Sequence, residues 1–306
     1  MTLALLSAAF VQNLNDKSFH KEWSKQMESL LKLPDSSRQY VLVILFANIN
    51  WFFQTDKDWT REYLLPVFHS NKSIDRDAAW SGFLESRALP YLEIFKTIKG
   101  DLLTIGRTLP SFYLKNIDHF SELILELWNE TDNTMGAKRI TDEELQELLL
   151  KSGDELRTGI LKEAAFRISI RNKNPSDQWK SRLSELFTIW PKQMKAWSPE
   201  VSAGFFRLLL WSGEQFPVLL KLVIKRLNKI YDLHPADLYS LTVSGFGNTI
   251  IQDYPKELLE LLFTVLPDDA RQWPYDMDDI WVKIVEADSS LKKDARYIEL
   301  KRRYSI

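Results

Sequence analysis

Apolar residues recur along this chain at intervals of three and four, and strict alternation of apolar and polar residues is rare. Leu156, Ile160, Leu161, Ala164, Ala165 and Ile168 form one such stripe, which places six side chains on a single face of a helix. Comparable stripes run through 18–33, 38–53, 89–105, 111–129, 142–151, 177–190, 200–212, 217–230, 236–250, 256–266 and 277–287. They predict roughly fifteen helices, most of about 11 to 20 residues, and more than about 60% helix with at most trivial strand.

The punctuation agrees with the periodicity. Pro90, Pro175, Pro199, Pro217, Pro235 and Pro255 each stand just ahead of an amphipathic run, where a first-turn proline forfeits no hydrogen bond and arrives with helical φ. Asn174 is a cap candidate before Pro175, and Thr141 with Glu144 fits a capping box. Asp177, Asp237 and Glu257 supply first-turn carboxylates. One polar stretch, 129–139 (NETDNTMGAKR), separates two strongly periodic regions. The chain therefore reads as a single helical-repeat-like unit over 1–306, with a possible subdivision into 1–130 and 140–306 at that stretch.

A short motif echoes within the chain. Ser81-Gly82-Phe83-Leu84 is followed by the run from Pro90 to Lys96, and Ala203-Gly204-Phe205-Phe206 by the run from Pro217 to Leu222; Pro255 to Leu262 repeats the second half. Pairs whose second helix begins with proline and is the more apolar are what a stack of helix pairs needs, because no single pair buries its own face. The expected fold is all-α, a multi-helix, α-solenoid-like (HEAT-like) stack of helix pairs, although no strict period appears.

Composition narrows the function. The 306 residues carry 40 basic and 42 acidic side chains, a formal net charge of −2, so nucleic acid is not an expected partner. The densest basic stretches, Arg167 to Lys173, Lys225 to Lys229 and Lys301 to Arg303, read as solvated helix faces. With no cysteine, disulfides, thiolate catalysis and Cys-based metal sites are excluded. The opening MTLALLSAAF lacks a basic n-region, and the longest apolar run, Tyr40 to Ala47, is far short of a membrane span. A cytoplasmic protein with no membrane association is expected.

Motifs for chemistry are missing. There is no GxSxG, GxxxxGK[ST] or GxGxxG, and Gly245-Phe246-Gly247 sits in an apolar helical pattern, where it reads as a kink or close helix contact. His20, His69, His119 and His234 are scattered without metal-ligand spacing. The acidic group Asp268, Asp269, Asp276, Asp278 and Asp279 reads as first-turn acids ahead of the 277–287 helix. No metal, nucleotide or other cofactor is expected, and no catalytic residue is assigned.

Eleven tryptophans are spread through the whole chain. Most belong in the core, yet tryptophan is also enriched in binding hot spots. Trp59, Trp190, Trp197 and Trp273 flank polar turns, and Trp190, Trp197 and Trp273 together with Tyr275 are the expected anchors of a protein-binding surface.

The stretch from Ala79-Trp80-Ser81-Gly82-Phe83-Leu84 through Pro90-Tyr91-Leu92 to Leu102-Leu103, and that from Tyr254-Pro255-Lys256-Glu257-Leu258-Leu259 to Leu266-Pro267, resembles the helical domain of unknown function appended to sirtuin-like effectors of bacterial anti-phage defence proteins. The likeness spans about residues 60–267, and no effector or nucleotide-binding region accompanies it. It implies a recognition or assembly module whose partner is another protein, an effector or a phage-derived protein. Two alternatives stand beside that reading: a structural or regulatory scaffold that binds its own effector, and an enzyme whose site assembles only in the fold, for which a concave pocket with converging titratable groups would be the sign.

Overall fold

The computed structural model describes residues 17–86, 88–131, 138–168, 177–233, 237–238, 241, 249–274 and 277–304. The described residues are 81% helical, and the only β pairing among them is an isolated antiparallel bridge between Thr131 and Lys138. It is an all-α, multi-helix protein. Two compact units are formed, one from residues 1–105 and 110–123, the other from 106–109 and 124–306. The division crosses two helices, Leu92–Thr108 and Ile117–Asn129.

In the first unit, α1 (Lys17–Leu31), α2 (Asp35–Ala47) and α3 (Ile49–Thr55) lead into a tight segment of π and 3-10 turns ending at His69. Then come α4 (Ser73–Glu85), α5 (Leu92–Thr108), a 3-10 turn at Ser111–Asn116 and the start of α6 (Ile117–Asn129). The stripe over 38–53 predicts one helix, but the chain breaks at Asn48, whose side-chain amide donates to the Ile44 carbonyl at 2.9 Å while its backbone N–H closes α2. The apolar period runs through the break, since Leu42, Leu45, Phe46, Ile49, Phe52 and Phe53 are all buried. Periodicity records burial, and the interruption is carried by one polar side chain.

α4 has no stripe because it has almost no outside: Ala78 through Leu84 are all buried. Asp75, also buried, is matched by Arg38 of α2, whose Nε donates at 3.0 Å. Helices α2 and α4 can approach closely because Gly82 lies on the Val43 backbone, where any Cβ would overlap the Val43 carbonyl. A knot of aromatic rings stands beside them, with Trp23 5.1 Å from Trp59 and 6.2 Å from Trp51.

The second unit takes in the rest of α6, then α7 (Asp142–Lys151), α8 (Asp154–Ile168), α9 (Asp177–Ile189), α10 (Pro199–Trp211) and α11 (Phe216–Val223). A short helix at Ile250–Asp253 precedes α12 (Pro255–Val265), α13 (Met277–Ala287) and α14 (Ala295–Tyr304). The stripe read over 217–230 ends as an α-helix at Val223 and tightens to 3-10 at Ile224–Arg226. Several starts match expectation: Thr141 accepts from the Glu144 N–H at 3.2 Å while Glu144 accepts from the Thr141 N–H at 2.9 Å, a complete capping box. Pro199, Pro217 and Pro255 occupy first-turn positions, and the Ser198 hydroxyl caps α10 through the Val201 N–H. Pro90 lies two residues ahead of α5. Asn174, Pro175, Pro235 and the Gly245–Gly247 segment lie outside the described residues.

α8 and α10 form the tight crossing of this unit. Here Gly204 faces Leu161, and a Cβ on Gly204 would come within 2.7 Å of the leucine side chain. At the other end of α8, buried Arg157 collects three carbonyls: Nε donates to Leu149 at 2.7 Å, Nη2 to Leu150 at 3.1 Å and Nη1 to Lys195 at 2.6 Å. It thereby closes the C-terminus of α7 and ties down the 3-10 turn Met194–Ala196.

Candidate functional site

The tryptophans expected as anchors are in the core. Trp190 and Trp197 are each 1% exposed and Trp273 is 7% exposed; Trp59 is buried as well, and Tyr275 lies outside the described residues. Each of the three has its indole N–H satisfied six residues away: Trp190 donates to Ala196 at 3.0 Å, Trp197 to Pro191 at 2.6 Å and Trp273 to Pro267 at 2.8 Å. The polar flanks that suggest exposure are themselves exposed, Lys192 through Lys195 among them, while the rings turn inward. Trp190 and Trp197 interlock across their loop, with centroids 6.4 Å apart, and both pack on Phe205 next to Gly204. Of the eleven tryptophans, only Trp51 and Trp211 are half-buried; the other nine are buried.

Among the described residues, Arg167 and the stretch Lys301 to Arg303 are engaged in ion pairs, whereas Lys225 is solvated as expected. Arg167 pairs with Glu163 and Glu126 and lies 4.9 Å over the Trp179 ring. Lys301 reaches Asp278 at 3.3 Å, Arg303 reaches Asp268 at 2.6 Å, and Asp269 holds Arg271 at 2.7 Å. Asp278 and Asp279 stand in the first turn of α13 as the sequence suggests. Glu299, flanked by Arg302 and then Arg303 as hydrogen-bond donors, has its carboxyl pulled down to about 2.

Two surfaces stand out. The first is α11. Phe216, Leu219, Leu220 and Val223 are buried, while Val218 and Leu222, one turn apart, are 61% and 41% exposed. At about 100° per residue, Val218, Lys221 and Leu222 share one arc opposite the buried set, and Lys225 continues it into the following turn. Lys221 and Lys225 are exposed, and among the described residues neither forms an ion pair with a carboxylate.

The second is a cleft of about 600 Å³ in the first unit. Its walls are Phe68 and His69 from the turn before α4, Arg76, Asp77 and Trp80 from α4, Asp101, Thr104 and Ile105 from α5, and Pro110 and Tyr113. Here folding makes two pairs that no local spacing announces. His69 Nδ1 is 2.7 Å from the Asp101 carboxylate, and the Tyr113 hydroxyl donates to Asp77 at 3.2 Å across 36 positions of sequence. Burial first, and then the charge of Asp77, pushes the Tyr113 phenol up, so it stays protonated as a donor. Arg76 stands at the edge with Nη1 donating to the Ser70 carbonyl at 3.3 Å. Among the described residues no group of three metal-ligating side chains forms, so His69 and Asp101 do not extend into a metal centre.

The fold and these surfaces define a multi-helix protein without a membrane-spanning helix among the described residues. No protein-family model, curated protein or solved structure matches the chain.

Proposed function

We propose that this protein is a non-catalytic recognition module that binds another protein through the outward face of α11. The partner is a helix carrying apolar residues flanked by carboxylates. The observation that supports this is the pairing of Val218 and Leu222 one turn apart with Lys221 and Lys225 beside them. Two aliphatic side chains set into a helix with its opposite side already buried make a groove-facing stripe. Two lysines without internal carboxylates select acidic flanks and speed the encounter. Stacked helix pairs as the wider scaffold, read from the repeated motif, a cytoplasmic location, read from the sequence, and an effector or phage-derived protein as the partner in bacterial anti-phage defence, which the resemblance implies, belong to the same proposal.

The test is affinity capture with the full chain and with its Val218→Glu/Leu222→Glu variant, from bacteria with and without phage infection. Both positions are exposed, so the substitutions leave stability within about 0.5 kcal/mol each. Support requires a protein that the native chain retains and the variant loses, that contains an acidic amphipathic helix, and whose purified complex weakens as salt rises. Capture unchanged by the double substitution overturns the assignment of this face. Turnover of a small molecule with no protein retained favours the catalytic alternative.

A further inference from the structure

The cleft of the first unit has a chemistry of its own. Its volume, about 600 Å³, lies within the roughly 300–1,000 Å³ range of small-molecule sites. The groups around it are unbalanced in a particular way. Asp101 spends one carboxylate oxygen on His69 Nδ1, and Asp77 spends Oδ1 on the Tyr113 hydroxyl. The second oxygen of each carboxylate and the Nε2 of His69, all on residues that line the cleft, have no hydrogen-bond partner among the described residues. These are acceptors. The donors opposing them belong to Arg76, which is exposed at the edge and already directed in part to the Ser70 carbonyl. Two carboxylates against one guanidinium also leave a net negative charge.

Thr104, also exposed in the lining, donates its hydroxyl to the Gly100 carbonyl at 2.9 Å, and Ile105 and Pro110 are the apolar parts that reach solvent. A ligand that fits must therefore bring several N–H donors on one cationic head and a short hydrocarbon stem. Anions are repelled by Asp77 and Asp101, and an uncharged polyol leaves the charge uncompensated.

We infer that this cleft binds a small primary alkylamine, its ammonium group received by Asp77, Asp101 and His69 Nε2 and its methylene chain laid against Ile105 and Pro110. The imidazole is set for this role by Asp101, which engages Nδ1 at 2.7 Å and leaves Nε2 for the ammonium. Tyr113 plays a positioning part: its hydroxyl holds Asp77 so that one oxygen remains for the ligand. This inference is independent of the α11 face and survives or fails separately from it.

The experiment is a calorimetric and NMR titration of the full chain with 1,4-diaminobutane, with 1,4-butanediol and glutarate as uncharged and anionic counterparts, at low salt and near pH 7.5. Saturable binding of the diamine, with neither counterpart competing, is expected. Asp77→Asn and Asp101→Asn should each weaken it at least about tenfold with unchanged circular dichroism. Arg76→Gln, at an exposed position that does not endanger the fold, should tighten it severalfold by removing the opposing cation. N-acetyl-lysine amide, which presents the same ammonium on a peptide-like side chain, separates a free amine from a lysine-bearing peptide: equal or tighter binding of the acetyl-lysine shows that the amine arrives on a peptide. No saturable diamine binding up to millimolar concentration, binding indifferent to both asparagine substitutions, or weaker binding in Arg76→Gln overturns the inference.

Discussion

Gly82 of α4 rests on the backbone of Val43 in α2, with no room for a β-carbon between them. Gly204 of α10 makes the corresponding approach to α8, but what it meets is the Leu161 side chain. Each glycine precedes a phenylalanine, so the short sequence echo around 81–84 and 203–206 marks the tightest crossing of its own unit. Gly82→Ala should cost about 3 kcal/mol or more, because a backbone carbonyl has no rotamer to yield. Gly204→Ala should cost about 1 to 2 kcal/mol, because Leu161 can turn aside. Urea denaturation of the two variants checks the order; equal costs would refute the distinction.

Arg157 is the buried cation that closes the end of α7. Its replacement by Met keeps the aliphatic volume but strands the carbonyls of Leu149, Leu150 and Lys195. Stability should fall by about 3 to 5 kcal/mol, and amide exchange should rise first in residues 194–197, whose turn depends on the same guanidinium. Uniform exchange across the unit would show that the turn is held by other contacts.

The tryptophans expected to anchor a partner should behave as core. Trp197→Phe removes one N–H donor from the Pro191 carbonyl and should cost about 1 to 3 kcal/mol, while Trp197→Ala should cost about 3 to 5 kcal/mol. Partner capture by folded Trp197→Phe should equal that of the native chain. A loss of capture without a loss of stability would return this residue to the binding surface.

Much of this fold is legible in the sequence, and the failures have physical causes. Helices α7 and α13 begin and end where their stripes do, since first-turn acids and one-sided burial agree in both and a capping box starts α7. Helix α4 leaves no stripe because its neighbours enclose it, and α14 leaves none because it is largely charged and sinks only Leu300 into the core. The tryptophans mislead because polar flanks suggest exposure, whereas the indoles of Trp190, Trp197 and Trp273 turn inward to carbonyls six residues away. The cleft is illegible because His69–Asp101 and Asp77–Tyr113 are pairs made by tertiary packing between helices, and spacing motifs register only chemistry that neighbours in sequence perform.

Glu299 supplies a pH test. Its carboxyl is held at about 2 by Arg302 and Arg303, below the ordinary value near 4.3. A depressed carboxylate contributes stability that is complete above its unfolded-state value and is lost as pH falls through the window from about 4.3 to 2. NMR titration should find Glu299 ionised at pH 3.5, and Arg302→Gln should move its midpoint upward. A midpoint near 4.3 in the native chain would mean the two arginines do not hold it in solution.

The interlocked indoles of Trp190 and Trp197 have an optical consequence. Chromophores 6.4 Å apart and inclined at 66° exchange excitation, so their near-ultraviolet transitions split into a coupled pair of opposite sign. Trp23 and Trp59, 5.1 Å apart at 59°, form a second such pair in the other unit. The chain thus carries an intrinsic dichroic label in each half. Trp128 with Trp179 and Trp273 with Trp281, 6.5 Å and 6.3 Å apart, add pairs in the second unit, so the difference between the spectra of the native chain and Trp197→Phe isolates the Trp190–Trp197 signal and follows its melting without a dye.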